Sequence, residues 1–293
     1  MAKKTKDNKE MELERCVNMS NALIRAAQSL SLSEKRLLML GVSKLDTKKP
    51  PSPDNMAVSI TAREFAEQFG VSLDTAYNEL KTASKQLFHR YISFYWDNNQ
   101  NFTQMHWVGQ ATYRDKEGVI KLEFWHKLAP QLFELSSLFT SYRLSRAAAL
   151  RSVYSWRLFE LLMQFKKTGW LRISIEEFCH AVEAPERYRK DFGQLRRSVI
   201  EPAVKEIREK DGLNVIWDVE KAGRKVKTLS FKFPLEHQVA LPLPPKTDTT
   251  TPKTSKKKTT KSKVTEPNES TKTHVDWVKN TANWKQIAQL LED

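Results

Sequence analysis

Residues 187–210 read RYRKDFGQLRRSVIEPAVKEIREK, and residues 213–233 read LNVIWDVEKAGRKVKTLSFKF. The first segment predicts a long amphipathic helix, because apolar residues recur at steps of three and four. They are Phe192, Leu195, Val199, Ala203 and Ile207. The second segment predicts a β-hairpin that turns at Ala222-Gly223. A basic helix followed by a basic hairpin is typical of a winged helix-turn-helix, whose helix enters the major groove of DNA.

The faces of these two segments that point away from the apolar stripe are basic. The helix presents Arg189, Lys190, Gln194, Arg196, Arg197, Lys205 and Arg208. The hairpin adds Arg224, Lys225 and Lys227. Residues 187–232 hold 13 Lys and Arg against 7 Asp and Glu, so part of the chain's basic excess is concentrated here. Pro202 falls inside the helical pattern and is expected to kink the helix or to end its first segment.

The whole chain is basic and long enough for two medium-sized domains. Its 293 residues carry a formal net charge of +14 with a pI near 9.6, which favours polyanionic partners. Cys16 and Cys179 are too few for a disulfide framework or a cysteine-rich zinc site, and Cys179 fits a core position. No stretch approaches the ~20 apolar residues of a membrane span, and the basic start lacks the apolar run of a signal peptide. We therefore expect a cytoplasmic protein with no membrane partner.

A repeated pattern divides the chain into two related domains. ITAREF at 60–65 matches ISIEEF at 173–178, and ELKTAS at 79–84 matches QLRRSV at 194–199. In each copy, the first motif holds a capping box, in which a hydroxyl and a carboxylate satisfy free amides at a helix start. The two boxes are Thr61 with Glu64 and Ser174 with Glu177. Both matches occur in the same order, and an aromatic-rich β pattern follows each, which favours duplication of one domain.

The predicted fold class is α+β, with two tandem winged helix-turn-helix domains related by internal duplication. The second domain is expected to be the principal DNA reader, and the first to bind DNA and to dimerise. A tail rich in Lys, Thr and Pro is expected to be disordered, with a short amphipathic helix at its end. The predicted boundaries are 1–15 for a flexible N-terminus, 16–130 and 131–240 for the two domains, and 241–293 for the tail.

In the first domain, Ser72 is predicted to cap the equivalent reading helix. Leu73, Tyr77, Leu80 and Leu87 are expected to point inward. The outward positions are Asp74, Thr75, Asn78, Lys81 and Lys85. Strands are predicted at Tyr91–Trp96, Met105–Tyr113 and Gly118–Trp125. A helical bridge near 127–150 then leads into the second domain.

Several patterns allow two interpretations. Leu23, Leu30 and Leu37 lie seven apart and suggest a leucine zipper, but core positions on two successive helices are favoured. Aromatic residues on the strands either stack on unpaired bases or fill the core, and the core is favoured. They are Phe94, Trp96, Trp107, Trp125 and Trp217. The tail either keeps itself extended or attaches to DNA nonspecifically, and its Trp277–Leu291 segment either docks on a partner or folds back.

Signals for catalysis are missing from the sequence. It contains no Gly-x-x-x-x-Gly-Lys-Ser/Thr loop for a nucleotide phosphate. The six histidines form no His-x-His or His-Glu-x-x-His pair, so neither a metal site nor a nicking enzyme is indicated. We therefore expect no catalytic residues, no metal and no cofactor, and we expect that the protein is not an enzyme.

These motifs together resemble the iteron-binding plasmid replication initiators. The resemblance is carried by NALIRAAQSLSLSEKRLL at 21–38, SVYSWRLFELL at 152–162, YRKDFGQLRRSVIEPAVKEI at 188–207, GRKV at 223–226 and FKF at 231–233. It covers roughly residues 16–235, with the motifs in the family's order, and leaves the tail outside.

The resemblance implies tandem winged-helix domains that bind repeated origin sequences, called iterons. It implies that the monomer helps to open the origin and recruits the host initiator, helicase and chaperones. It also implies that a homodimer represses the protein's own gene or limits plasmid copy number. The helix that starts near Tyr188 would be the principal base reader, and the outward set of the first domain would lie on the adjoining part of the iteron.

Two other functions share parts of this pattern. A winged-helix transcriptional repressor with no replication role would use the same binding module. A rolling-circle nicking enzyme would nick the origin and become covalently attached to it. The sequence alone does not separate the first of these from an initiator.

Overall fold

The computed structural model describes residues 15–96 and 101–235. The predictions for residues 1–14, for the turn that starts at Asp97, and for the tail at 241–293 lie outside these ranges. The first half of the chain contains, in order, β1 (Cys16–Ser20), α1 (Asn21–Arg25), α2 (Leu32–Lys44), β2 (Ala57–Thr61), α3 (Ala62–Phe69), α4 (Leu73–Leu87), β3 (Tyr91–Trp96), β4 (Asn101–His106), β5 (Val108–Arg114) and β6 (Val119–Phe124).

The second half follows a connecting segment. That segment contains a 3-10 turn (His126–Leu128), α5 (Ala129–Leu132), β7 (Phe139–Arg143) and α6 (Leu144–Ala148). The second half itself contains α7 (Val153–Met163), β8 (Trp170–Ser174), α8 (Ile175–Ala181), α9 (Glu186–Lys190), α10 (Phe192–Leu195), a π-helical turn (Arg196–Ile200), α11 (Glu201–Lys210), β9 (Ile216–Ala222) and β10 (Lys225–Lys232).

The two halves share one topology, which confirms the predicted tandem winged-helix fold. Each has a helix, a strand, two further helical segments and two strands, with the β3–β4 hairpin inserted in the first. The strand order is β2-β6-β5 in one sheet and β8-β10-β9 in the other, and all pairs are antiparallel. In both sheets the last strand is therefore the central one.

Both predicted capping boxes are present and begin α3 and α8. The Glu64 amide donates to Thr61 Oγ1 at 3.1 Å, and the Glu177 amide donates to Ser174 Oγ at 3.2 Å. The glutamate side chains accept from the amides of the capping residues in return. Each cap residue is the last residue of its strand, so the same local chemistry turns the chain from strand to helix in both halves.

The predicted helical bridge at 127–150 is partly wrong, because it contains the strand β7. This strand pairs antiparallel with β1, from Phe139 opposite Ser20 to Arg143 opposite Cys16. Alternation along β7 buries Tyr142 and exposes its neighbour Arg143. Local periodicity does not reveal a strand whose partner lies more than 100 residues away.

The predicted strand Met105–Tyr113 is also wrong in detail, because it is divided at Trp107 into β4 and β5. The Trp107 side chain is fully buried, and its Nε1 donates to the Gln28 carbonyl at 3.3 Å. β4 pairs with β3, whereas β5 pairs with β6, so the indole marks the change from one sheet to another. Phe94 is buried too, which confirms core positions for these two aromatic residues.

Two residues of α4 were wrongly predicted to point inward. Leu80 and Leu87 are fully buried, but Leu73 is 44% exposed and Tyr77 is 36% exposed. Tyr77 lies instead over Gly118 in the turn between β5 and β6, where a Cβ on the glycine would lie 2.1 Å from its ring. Its ring therefore packs the β5–β6 hairpin, which is the wing of the first domain, against α4.

The leucine-zipper alternative is wrong, and the core alternative is confirmed. Leu23 lies on α1 and Leu37 lies on α2, and both are fully buried. The chain between these two helices is not helical around Leu30, so the three leucines share no continuous stripe.

The long basic helix predicted over 187–210 is interrupted. Asp191 adopts an extended conformation, with φ −125° and ψ 103°, and its side chain accepts from the Gln194 amide at 3.2 Å to cap a new helix. The π-helical turn follows, and the Glu201 amide donates to the Arg196 carbonyl, five residues earlier. This wider turn precedes Pro202, which lacks an N–H and would crowd the carbonyl four residues earlier in a regular helix.

The apolar stripe survives these interruptions. Leu195, Val199, Ala203 and Ile207 are buried, while Phe192 at the start is half-buried. The segment therefore faces the core along the predicted side although it is not one straight helix.

Candidate nucleic-acid interface

Every residue predicted to contact DNA is exposed in the structure. In the second domain these positions are Arg189, Lys190, Gln194, Arg196, Arg197, Lys205, Arg224, Lys225 and Lys227. In the first domain they are Asp74, Thr75, Asn78, Lys81 and Lys85. Because they are exposed, all of these residues remain candidates for DNA contact. The protein groups that each one bonds to determine whether it is free to bind a base or a phosphate.

Arg197 and Gln194 lie on the interrupted segment α9–α11, which the sequence predicts to read bases and which is called the second reading segment below, and their polar side chains are free of protein partners among the described residues. Within the described part of the chain, neither the Arg197 guanidinium nor the Gln194 side-chain amide has a hydrogen-bond partner. A Cβ on Gly193 would lie 3.5 Å from Arg197 Nη1, so the glycine leaves the guanidinium room beside the backbone. Arginine binds guanine and glutamine binds adenine by paired hydrogen bonds in the major groove, so these two side chains suit base reading.

Arg196 is held in place by Glu201 at the start of α11 and by Trp217 in the wing of the second domain, which is the β9–β10 hairpin. Its Nε donates to Glu201 Oε1 at 2.7 Å, and its guanidinium carbon lies 5.8 Å from the centre of the Trp217 ring on β9. Both partners leave part of the planar guanidinium accessible, since Arg196 is exposed. This contact links the reading segment to the hairpin beside it.

Three other predicted contacts already have protein partners. Lys190 Nζ lies 2.6 Å from Glu186 Oε1, and Lys205 Nζ lies 3.9 Å from Glu209 Oε1. Arg189 Nε donates to the Ala184 carbonyl at 2.8 Å. Exposed ion pairs contribute only about 0–1 kcal/mol, so the two lysines can exchange these partners for phosphate at little cost. Arg189 also secures the turn that precedes the reading segment.

The wing of the second domain ends in a tight turn at Gly223-Arg224. Ala222 pairs with Lys225 across it, and Gly223 has a φ of 64°, which favours glycine at the first position of a two-residue hairpin turn. Arg224, Lys225 and Lys227 form no ion pair with described residues. Lys221, opposite Val226, is a fourth exposed cation of the same kind that the sequence reasoning missed. The available signal was its position next to the predicted turn at Ala222-Gly223, because strand alternation alone places it on the side of the half-buried Trp217 and Val219.

The first-domain reading helix α4 is less basic and more tied to its own wing. Ser72 Oγ accepts from the Thr75 amide at 3.1 Å, and Asn78 Nδ2 lies 3.5 Å from Asp74 Oδ2. Lys81 Nζ lies 3.1 Å from Asp115 in the wing turn. Lys85 makes no ion pair with any described residue, so it is the cation of this helix that is available without a rearrangement.

Hydrogen bonding perturbs one tyrosine beside the second reading segment. Bonds from Ser198 and Arg187 lower the pKa of Tyr188, whose hydroxyl lies 3.1 Å from Arg187 Nη2. Elsewhere, burial raises the pKa of the Cys179 thiol to about 11, which fits the predicted core position of this residue. No group of His, Cys, Asp and Glu in the described ranges has the arrangement of a metal site. Within the same ranges, no helix has the length and apolar character that a bilayer crossing requires.

Comparison with known proteins finds relatives over both halves. A family model described as Initiator Replication protein, WH1 matches residues 16–163, and one described as Initiator Rep protein, WH2 matches residues 174–233. An uncharacterized 27.6 kDa protein of Escherichia coli is 29% identical over 217 residues, which cover 71% of this chain and 91% of the relative. A replication initiation protein of Escherichia coli is 26% identical over 228 residues, which cover 76% and 70% respectively. The crystal structure of Pi initiator protein in complex with iteron DNA superposes with a TM-score of 0.67 at 25% identity, covering 77% of this chain and 99% of that one.

Proposed function

Because this chain belongs to the initiator replication protein family, we propose that it is an initiator of plasmid replication that binds double-stranded DNA at repeated origin sequences. The observation that carries the proposal is the pair of equivalent reading segments, α4 and α9–α11, each placed beside its own β-hairpin. The fold they share with an initiator solved on iteron DNA supports the same use here.

Within this function, the second domain is the principal reader. Arg196, Arg197 and Gln194 would contact base edges, because arginine and glutamine form paired hydrogen bonds to guanine and adenine worth about 1–3 kcal/mol each in discrimination. Lys190 and Lys205 would also contact the DNA, as would Arg189 in the turn before the segment. Lys225 and Lys227, with Arg224 and the added Lys221, would bind phosphates, since half to two-thirds of protein–DNA hydrogen bonds go to phosphate and sugar oxygens and lysine and arginine are common donors to them.

The first domain would bind the adjoining part of the repeat. Its short polar side chains Asp74, Thr75 and Asn78 lie in the first turns of α4, where helices most often meet base edges. Lys85 would bind phosphate directly, and Lys81 would do so after leaving Asp115.

The protein's assembly and further partners belong to the same proposal. As a monomer it would open the origin and recruit host partners, which are the host initiator, the helicase and chaperones. As a homodimer formed through the first domain it would bind its own operator and limit copy number. It would act in the cytoplasm, without a cofactor and without enzymatic activity.

The test uses the full chain and a labelled duplex that carries the direct repeats found beside the gene. Fluorescence anisotropy at several salt concentrations should give tight binding to the repeats and at least ~1,000-fold weaker binding to a scrambled duplex of equal composition. A plasmid that carries the same repeats should be maintained only when the gene is supplied. Maintenance without the gene, or equal affinity for both duplexes, would contradict the proposal.

Covalent attachment of the chain to supercoiled origin DNA would instead indicate a nicking enzyme. Repression of the promoter, together with maintenance of the plasmid in the absence of the gene, would indicate a transcriptional repressor. Both outcomes are measured with the same DNA.

A further inference from the structure

We propose that the contact between the two winged helices is a spacer that fixes the separation of the two reading segments along DNA. Its positioning residues are Glu183 and the buried pair Lys35 and Glu160. This inference rests on the proposed function, because it assigns the protein a preference for one spacing between the two parts of a repeat.

The first observation concerns one turn that occurs in both copies of the domain. Gly70 follows α3 with a φ of 60°, and Glu183 follows α8 with a φ of 55°. The two positions are 113 residues apart, as are the starts of β2 and β8. The left-handed conformation costs a residue with a Cβ about 1–2 kcal/mol, so glycine is the residue expected at this turn. The second copy carries glutamate there instead.

The Glu183 carboxylate is used to join the two halves. Both of its oxygens lie 2.8 Å from the Ser29 amide, and Oε1 also accepts from the Gln28 amide at 2.5 Å. Ser29 belongs to the link between α1 and α2 and has a φ of 52°, so its backbone is left-handed as well. Two strained backbone positions, one in each half, are therefore bonded to each other. A residue that served only to complete the turn would need neither the carboxylate nor its bond to Ser29.

The second observation is a pair of opposite charges buried between the halves. Lys35 lies on α2 and Glu160 lies on α7, and both side chains have no exposed surface. Lys35 Nζ lies 2.8 Å from Glu160 Oε1 and donates to Gln28 Oε1 at 2.7 Å. A buried ion pair adds little stability over an apolar pair of the same size, but its geometry admits few alternatives.

A buried guanidinium extends this pair to three backbone carbonyls. Arg157 Nη2 donates to the carbonyls of Ile24 and Ala26 in the first half, both at 2.7 Å. Its Nε donates to the Ala181 carbonyl at 2.8 Å at the end of α8, and its Nη1 lies 3.0 Å from Glu160 Oε2. Because these donors share one plane, a shift of one half against the other would break several bonds at once. Each buried group left unpaired would cost about 1–3 kcal/mol.

The helices that carry Lys35 and Glu160 pack against the reading segments. α2 packs against α4, and α7 packs against α11 and the π-helical turn. Glu183 is three residues before α9, where the second reading segment begins. One base pair inserted between the two parts of a repeat moves them apart by about 3.4 Å and rotates them by about 35°. A fixed spacer cannot follow that change without losing contacts in one domain.

The experiment compares two duplexes, the cognate repeat and the same repeat with one base pair inserted between the segments that the two domains protect. The wild-type dissociation constant should rise at least about tenfold on insertion, or about 1.4 kcal/mol. Glu183→Gly should reduce that ratio to about threefold or less, because it removes the bond to Ser29 while it gives the turn the glycine found at Gly70. Glu183→Gln should keep the wild-type ratio, since its amide oxygen still accepts from Ser29.

The buried pair is tested in the same way with a matched control. Lys35→Met should also lower the ratio. Lys44→Met removes a lysine–glutamate pair that lies within the first half, with Lys44 Nζ 2.9 Å from Glu64, and should leave the ratio unchanged. A ratio in Glu183→Gly and Lys35→Met equal to that of the wild type would overturn the proposal, as would an equal reduction in Lys44→Met.

A measurement without DNA separates the spacer from the proposed function. Nitroxide labels are attached to the cysteines of Gln86→Cys and Gln194→Cys in a Cys16→Ser background. Double electron–electron resonance then measures the distance between α4 and α10. Glu183→Gly should broaden this distance distribution at least about twofold relative to the same labelled protein with Glu183. An unchanged width would overturn the spacer even if the repeats are bound. Failure of the wild type to bind the repeats, with the broadening present, would overturn the proposed function and leave the spacer standing.

Discussion

Replacement of Glu160 by glutamine removes the charge at the centre of the buried contact between the halves. The carboxylate lies 2.8 Å from Lys35 Nζ and 3.0 Å from Arg157 Nη1, and it accepts from the Tyr142 hydroxyl at 2.8 Å. The variant would leave two buried cations without an anion and turn an amide N–H₂ toward one of them. Removal of one partner from a buried ion pair costs about 3–5 kcal/mol, so we expect a loss of that size in the free energy of unfolding.

The assay is urea unfolding followed by tryptophan fluorescence, with a double-mutant cycle through Lys35→Met. Lys35→Met alone should cost less than Glu160→Gln alone, because Arg157 and Tyr142 still hold the carboxylate. In the Lys35→Met background, Glu160→Gln should cost at least about 1 kcal/mol less than in the wild type, which is the coupling expected of residues in contact. A cost below about 1 kcal/mol for Glu160→Gln, or strict additivity, would refute the reasoning.

The buried Lys35 also sets how the free energy of unfolding depends on pH. Burial lowers the pKa of Lys35 to about 8, although Glu160 acts to raise it. An unfolded lysine holds its proton up to about pH 10.4, so the unfolded state binds more protons between these two values. The contribution of Lys35 to the free energy of unfolding therefore rises with pH from about 8 to 10.4. In Glu160→Gln the rise should begin below pH 8, because the negative charge that raises the pKa of Lys35 is removed and burial then lowers this pKa further.

Three further predictions concern DNA binding and the first wing. Arg197→Ala should weaken binding to the cognate repeat about 5- to 150-fold and to scrambled DNA much less, as anisotropy would measure; equal losses on both would contradict base reading. Lys227→Ala should lower affinity for both duplexes alike and reduce the slope of log affinity against log salt by about 0.9, and a sequence-selective loss would exclude a phosphate contact. Gly118→Ala should destabilise the protein by more than about 1 kcal/mol in urea, because its φ is 60° and Tyr77 occupies the space of the new Cβ. Part of that loss should be recovered in a Tyr77→Ala background.

The duplicated fold was predictable because its evidence is local. In both α3 and α8, a hydroxyl and a carboxylate three residues apart form a capping box at the helix start, which depends only on neighbouring residues. The two boxes recur 113 residues apart. Most of the apolar stripe of the second reading segment was predictable for the same reason, since burial follows helical period. Exposure of the candidate DNA contacts then follows as the opposite face of that stripe.

The features that sequence did not predict depend on distant partners. β7 forms a strand because β1 lies beside it, and Trp107 ends β4 because its indole is inserted in the core. Asp191 lies inside the helix predicted over 187–210, but its side chain can also accept a hydrogen bond. It caps the helix that starts at Phe192, and this cap interrupts the predicted helix. Glu183 shows no pattern in the sequence that marks it as a residue bonded to the first half. Each outcome was decided by a contact that spans the chain or by a competition between two local structures.

The helix α7 carries a consequence for synthesis of the chain. Its residues from Ser155 to Met163 are all buried, with the first half on one side and α11 on the other. Ribosomes add about 5–20 residues per second, so α1 and α2 leave the tunnel several seconds before the helix that covers them. Until then their apolar surface stays open to chaperones. The first winged helix is thus expected to finish folding only after part of the second has been made, and protein truncated before residue 153 should aggregate.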